Sequence, residues 1–441
     1  MPWYGRLRVS TWTWTACAFV ILAGASLWTL MADVMRSRTA DDGTVIPGLN
    51  SDALWLSASK AAPTMIFWLV CFILVDRYKP QRLLVWVIAL GWGACVAVTG
   101  AYYINSWVGA QMAVVDDTSG VSAIRVAVFV APFVEEAMKA SIIFLIVVLD
   151  RNRFSSRVSG AVVGGLAGAG FAFTENIIYY ARAIVYGSYT SGTGDVMAYL
   201  NHMVYMRGVL TCFGHPLFTL MTGVGVAFGV TSRSKIVRVV APVSGYLLAA
   251  LLHMFFNWQS SIISEDQLIP LLVIIAWPIV AIVAVRVAIS SVRQGRTVAH
   301  RLGDYVTMGW LPASYPAALS TLRRRAWTLV MSLWHGHPVR TWVLQTRATE
   351  LALLREAVTR GTVDAGGLWR EHQLINEIAS LARRGAVVDG RGLRPYWPWN
   401  ARRRRSLSTR IPSHGMIDKP PMALGSKLKY SASDPRWGPP T

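Results

Sequence analysis

Two adjacent glutamates, Glu135 and Glu136, lie in an apolar stretch with Lys139 just beyond them. On a helix, Glu135 and Lys139 share a face. Carrying one ionised group into hydrocarbon costs about 2.5–3.5 kcal/mol on insertion scales. A lone intrahelical ion pair would lower that cost, but it leaves Glu136 without a role, so the paired carboxylates point to chemistry. Three further polar clusters interrupt apolar sequence. Glu175 and Asn176 stand side by side after Phe171; the bland reading is an interfacial position near a helix end. His215, Thr219 and Gly223 recur at steps of four, and so do His253 and Asn257. A lone histidine in a helix is more often structural than catalytic, and a His–Asn pair can simply hold two helices together. Pro216 disfavours helical geometry at His215 and predicts a break or restart there.

The set holds three carboxylates, two imidazoles, an amide and a lysine. It contains no Ser or Cys nucleophile motif and no HExxH helix. Glu135, Glu136 or Glu175 can act as general base toward water. His215, His253 and Asn257 can donate hydrogen bonds to a developing oxyanion. Alternatively, His215, His253 and one glutamate, with Glu175 as the candidate, bind zinc while another glutamate is the base. Both schemes describe water attacking a carbonyl. Sequence leaves both open, with the metal-free version slightly favoured. Lys139, Asn176, Arg207 and Thr219 are the supporting candidates.

The elements that must position these residues are membrane helices. Of 441 residues, 54% are apolar and 15% charged, where a soluble protein carries about 25% charge. The apolar residues run in long blocks before residue 290, which argues against a soluble enzyme, a collagen-like chain or a disordered one. A span needs about 20 apolar residues. Eight candidates follow: 12–32, 61–75, 83–105, 122–149, 158–180, 207–231, 239–259 and 268–290. The expected fold class is all-α, a polytopic bundle of about eight transmembrane helices (residues 1–290) with a basic tail (291–441). The four cysteines lie inside apolar runs and read as packing thiols.

With the N-terminus inside, the inner loops 76–82, 150–157 and 232–238 each hold three basic residues, while the outer loops 106–121 and 260–267 hold none. The bias sets both termini on the cytoplasmic side of a plasma membrane. All four clusters then fall on spans four to seven. Glu175, His215 and His253 lie in the outer half, with Glu135 and Glu136 near the midplane. Gly160, Gly164 and Gly168 open span five at a spacing that lets helix backbones approach closely.

EExxK, FxxxEN, HxxxTxxxG and HxxxN, in this order on successive spans, resemble the PrsW-type intramembrane proteases, relatives of CAAX prenyl proteases and bacteriocin-processing membrane enzymes. The resemblance covers roughly residues 60–290. It implies a multi-span protease that cuts a membrane-anchored substrate. In the best-known case that substrate is an anti-sigma factor, cut on its extracytoplasmic side. Carried over, Glu135 and Glu136 match the acidic pair that supplies the base, Glu175 and Asn176 the second motif, His215 the third, and His253 and Asn257 the fourth. Asn257 would then polarise the scissile carbonyl.

The tail departs from this pattern. Residues 291–441 hold 24 basic and nine acidic side chains, a net of +15 of the chain's +20. Helices are expected near 340–360 and 368–384, a surface-lying amphipathic stretch at 317–334, and disorder over 395–441 around the Arg402–Arg405 run. Anionic lipid is the expected partner of this charge. Nucleic acid is disfavoured, because no recognisable nucleic-acid fold accompanies it. Two other functions fit intramembrane charge: a proton- or metal-coupled transporter, and a catalytically inactive scaffold. Against the transporter, the charges crowd on four adjacent helices and no inverted repeat is apparent.

Overall fold

The computed structural model describes residues 3–391 and residue 393, apart from 40–42, 44, 79–80, 116–120, 152–153, 155, 191–194, 336 and 362–364. The expected disorder over 395–441 and the arginine run within it lie outside the described residues. The chain divides into two compact units, Met1–Asp76 with Gln81–Val285, and Arg77–Pro80 with Arg286–Thr441.

The first unit begins with α1 (Trp3–Val34) and a two-stranded antiparallel hairpin, β1 (Arg38–Thr39) and β2 (Val45–Ile46). α2 (Ser51–Val75) follows, its first turn capped by the Asn50 side chain, which accepts from the Ala53 N–H. α3 (Leu83–Gly91) passes through a π-helical turn (Trp92–Ala97) into α4 (Val98–Val115). α5 (Val121–Arg125), a second π turn (Val126–Val130) and α6 (Ala131–Asp150) form the next rod. Then come α7 (Arg157–Thr190), α8 (Val196–Val204) with a π turn at Tyr205–Leu210, α9 (Gly214–Thr231) and α10 (Lys235–Ile262). α11 (Glu265–Leu271), a π turn (Leu272–Ala276) and α12 (Trp277–Thr307) end the series.

Among the described residues seven helices are long and apolar enough to cross a membrane: Thr13–Val34, Ser51–Val75, Leu83–Met112, Arg157–Gly187, Val196–Thr231, Lys235–Ile262 and Gln267–Thr307. An all-α polytopic membrane bundle is therefore the fold class. The sequence expected eight. The missing one, 122–149, is helical throughout, but Glu135, Glu136 and Lys139 sit in its middle and lower its apolar character. The short second span extends toward its N-terminal side through Pro63, which stays inside α2. Span six is interrupted: the helix restarts at Gly214, so His215 lies in the first turn of α9 with Pro216 beside it, where proline is tolerated. The four cysteines are free; Cys17 is exposed rather than packed, and the other three are half-buried.

α7 is the central helix, with 78% of its apolar window buried, against 6–56% for the other candidates. Its glycine stripe meets the polar stripe of α9 in register. A methyl group on Gly160 would stand 2.1 Å from the Gly223 carbonyl oxygen, one on Gly164 2.5 Å from that of Thr219, and one on Gly168 2.3 Å from that of His215. The two backbones thus touch along the line that carries the third motif, and only hydrogen fits between them. Gly164→Val is expected to lower the apparent melting temperature of the detergent-solubilised chain by several degrees, for an overpacking cost of about 1–3 kcal/mol. A variant that melts with the native protein would mean that α7 and α9 are not in backbone contact there.

The second unit is helical and packed around its own core. Val298, Leu302, Leu344, Leu351, Leu374 and Ile378 are buried there, together with Tyr78 from the loop after α2. Its helices after α12 are α13 (Ser314–Leu319), α14 (Leu322–Trp334), α15 (Pro338–Thr359) and α16 (Ala365–Arg383). The last two occupy the stretches expected to be helical. Two buried hydroxyls find acceptors here: that of Tyr305 donates to Glu371, and that of Tyr78 to the Ser320 carbonyl. Arg325 is buried too. It donates to the Thr349 hydroxyl and lies over the Tyr78 ring, and burial pulls its pKa down to about 10, so it stays charged at neutral pH.

Candidate active site

α6 brings Glu135, Glu136 and Lys139 onto the face that meets α9 and α10, because steps of three and four keep them on one side. α7 supplies Phe171, Glu175 and Asn176; α9 supplies His215, Phe218 and Thr219; α10 supplies His253. Four sequence-distant motifs therefore meet in one cluster.

Lys139 is its anchor and has no exposed side-chain surface. The ammonium donates to Glu136 Oε1 at 2.9 Å, reaches Glu135 Oε2 at 3.4 Å and approaches His215 Nδ1 at 2.9 Å. Its charge also lies 3.9 Å above the Phe171 ring, a favourable cation–π distance. Glu136, fully enclosed, is satisfied at both oxygens. Oε1 also accepts from His253 Nδ1 at 3.2 Å, and Oε2 accepts from the Thr219 hydroxyl at 2.8 Å. Glu175 Oε2 accepts from His215 Nε2 at 2.8 Å and from Arg207 Nη2 at 2.6 Å. Asn176 Oδ1 accepts from Arg207 Nε at 3.0 Å, so both members of the second motif hold the arginine.

These partners fix the imidazole protons. Glu175 accepts a hydrogen bond from the Nε2–H of His215, leaving an acceptor at Nδ1. Glu136 accepts a hydrogen bond from the Nδ1–H of His253, leaving an acceptor at Nε2. Both acceptors face Glu135 Oε2, at 4.0 Å and 3.9 Å respectively. Three acceptor atoms thus converge on one position. Such a position suits a donor or a cation. The rings stand nearly perpendicular, 5.0 Å between centroids, walled by Phe171 against His215 and by Phe218 stacked on His253.

Glu135, His215 and His253 form the group of donors among the described residues that can hold a metal ion. Two imidazoles and a carboxylate, with a further position open, are the donor set of a catalytic zinc site. Tetrahedral coordination with bonds of about 2.0–2.1 Å asks for donors roughly 3.3 Å apart; Glu135 lies 3.9 Å and 4.0 Å from the two imidazole nitrogens and all three atoms lie within 4.8 Å of one another, so the donors would have to draw together by about half an ångström to 1.5 Å. Lys139 would also have to leave His215 Nδ1, since both use the same lone pair. The residues fit the group on those two terms. The carboxylate differs from the expected one. Glu175, the expected third ligand, meets the far nitrogen of His215 and is held by Arg207, and the carboxylate grouped with the two imidazoles is that of Glu135.

Burial falls off in one direction. Lys139 and Glu136 are enclosed, whereas the side chains of His215, Glu175 and Arg207 are 14%, 18% and 27% exposed. The cluster therefore opens past Arg207. This residue comes from the π turn before α9 and also lies over the Tyr179 ring at 3.9 Å. Asn257 is not brought into the cluster. Its Nδ2 donates to the Ala127 carbonyl at 2.8 Å, in the π turn that leads into α6. A π turn leaves carbonyls short of ladder partners, and this amide satisfies one. Asn257→Ala is accordingly expected to slow cleavage less than about tenfold, the effect of one ordinary hydrogen bond. An amide that held the oxyanion would cost about 10²–10³ in turnover, so single-turnover rates separate the two roles. Phe218 and Tyr179 were not singled out from sequence; aromatic residues in apolar helices carry no mark that distinguishes a wall of the site from ordinary core.

Fold and cluster together define a multi-span helical membrane protein with a carboxylate–imidazole centre enclosed in its bundle. Residues 79–283 match the family model described as PrsW family intramembrane metalloprotease. All four motifs lie in that segment, so the family model and the motif resemblance fall on the same residues, and the class of activity that this similarity supports is a membrane-embedded peptidase. Comparisons with curated proteins and with solved structures gave no match.

Proposed function

We propose that the protein hydrolyses a peptide bond of a membrane-anchored substrate at a centre built by Glu135, His215 and His253. The observation that carries this reading is the convergence of three acceptor atoms, each imidazole being backed by its own carboxylate. A divalent ion, zinc by donor type, would be held by those three residues, and when bound it would acidify a water and polarise a carbonyl. The chain's own residues orient the site. Glu175 and Glu136 fix the two ring tautomers, and Thr219 holds Glu136. Arg207 holds Glu175 at the open side, where a substrate backbone would enter. Lys139 balances the buried carboxylates and can donate to an oxygen that gains charge.

A metal-free version, in which Glu135 itself takes the proton from water, has one specific observation in its favour: Lys139 already occupies the His215 Nδ1 lone pair. Zinc content separates the two. The purified chain, dialysed against buffered zinc, is expected to hold about one zinc per molecule, and His215→Ala/His253→Ala none. A zinc-free wild type that still cleaves would establish the glutamate mechanism instead.

The resemblance extends the reading to substrate and topology. An anti-sigma factor cut on its extracytoplasmic side fits a cluster in the outer half of the bilayer. The loop charges support cytoplasmic termini, which would place the basic second unit against the anionic inner leaflet.

A further inference from the structure

We propose that the outward face of α14 in the second unit is a bilayer-docking surface, taking anionic headgroups at its arginine end and acyl chains along its tryptophan stripe. This rests on the reading that the second unit faces the inner leaflet; it does not depend on the peptidase reading. One face of α14 packs inward through Arg325, Thr328, Met331 and Ser332. The other leaves Trp327, Val330, Leu333 and Trp334 exposed at 50%, 40%, 60% and 39%. Trp327, Val330 and Trp334 follow steps of three and four and form one stripe. Arg323 and Arg324 are exposed at its start.

Their position is what distinguishes this face from an ordinary apolar patch. The first turn of a helix carries a partial positive charge and favours anions. α14 has no acidic residue there and three arginines instead. Arg325 is accounted for inside the unit. Among the described residues the Arg324 guanidinium makes one hydrogen bond, from Nη1 to the Ala317 carbonyl at 2.8 Å, and its charge also reaches Asp389. The fold therefore places two outward cations where the helix dipole opposes them, at a first turn that Thr321 caps through the Arg324 N–H, and next to an exposed indole. A phosphate-bearing surface reverses that cost, since it meets cations and helix N–H groups together. Tryptophan beside arginine on an amphipathic helix is the composition of membrane interfaces. The unit is tethered to the bilayer by the apolar helix that precedes it in sequence, so a weak surface contact would be populated at high effective concentration.

The test uses the full chain in lipid nanodiscs. Cys17, Cys71, Cys95 and Cys212 are replaced by Ala, Leu333→Cys carries an environment-sensitive NBD probe, and Arg360→Cys serves as a solvent-facing control. With discs containing anionic phosphatidylglycerol, lipid-borne doxyl groups are expected to quench the Leu333 probe at least twofold and the control little. Arg323→Glu/Arg324→Glu is expected to remove at least half of that quenching. The double variant should stay folded, because glutamate in a first turn favours the helix, and unchanged helical circular dichroism checks this. A Leu333 probe quenched only by aqueous iodide would overturn the proposal, and one shielded from both quenchers would assign the face to a protein partner. Doxyl quenching unaffected by the double variant would overturn the headgroup contact.

Discussion

Glu135→Gln is expected to reduce peptide-bond cleavage by at least about 10³-fold while leaving the chain folded. Glu135 Oε2 is the atom that both imidazole acceptors face, at 3.9 Å and 4.0 Å. A glutamine keeps the volume but removes the charge, and it serves neither as a metal-binding carboxylate nor as a proton acceptor; loss of a general base alone costs about 10²–10⁴. The fold should tolerate the change. Among the described residues Glu135 makes one polar contact within hydrogen-bonding reach, the 3.4 Å approach of Lys139, and that ammonium retains Glu136 and His215. Glu136→Gln should behave differently. Its carboxylate accepts from Lys139, His253 and Thr219 at once, so replacing it should disturb stability and activity together. Cleavage rates and melting temperatures for the two single variants separate these roles. If Glu135→Gln retained more than a tenth of the native rate, Glu135 would not belong to the reacting centre.

Lys139→Met is expected to destabilise the metal-free chain by about 3–5 kcal/mol, the cost of leaving a buried partner charge uncompensated. The ammonium is wholly enclosed, and among the described residues no other Lys or Arg reaches Glu136 at ion-pair distance; His253 stands 3.2 Å away as a neutral donor. The variant also discriminates between the two mechanisms. Removing the side chain frees His215 Nδ1 and takes a positive charge away from the position where an ion would sit. Zinc should therefore raise the melting temperature of Lys139→Met more than that of wild type, restoring much of the loss through binding to the folded state alone. Melting curves with and without zinc, for both proteins, give the comparison. A variant as stable as wild type without metal would show that Lys139 is not the counter-charge of the carboxylate pair.

Much of this site was legible because charge in apolar sequence is expensive and therefore conspicuous. Glu135, Glu136, Lys139, Glu175, His215 and His253 were each found that way, and periodicity placed each on a helix. Gly160, Gly164 and Gly168 read as a close-packing face, though their register against Gly223, Thr219 and His215 depends on how two helices cross, which spacing within one helix does not encode. Pro216 marked the restart of α9 through a purely local steric rule. The same expense that exposed the site hid one helix from a count by apolar length, since Val121–Asp150 carries the charges itself.

Which carboxylate serves which nitrogen was not legible. Glu175 and Glu135 are equivalent in sequence as acids on neighbouring helices; Arg207, delivered by a π turn, draws Glu175 to the far side of His215. Asn257 shares a helix face with His253, but a carbonyl freed in another π turn claims its amide. In the tail, the 317–334 stretch read as surface-lying because its arginines and aromatics alternate with apolar residues. Arg325 is instead drawn inward by Tyr78 and Thr349, partners distant in sequence.

The most direct measurement is cleavage of a panel of single-span membrane substrates by the purified chain in liposomes. Products are read by mass spectrometry for wild type, Glu135→Gln, and wild type stripped by chelator and then resupplied with zinc. The account predicts a product from wild type that is absent with Glu135→Gln, lost on chelation and regained with zinc. Cleavage that persists undiminished in folded Glu135→Gln would contradict it.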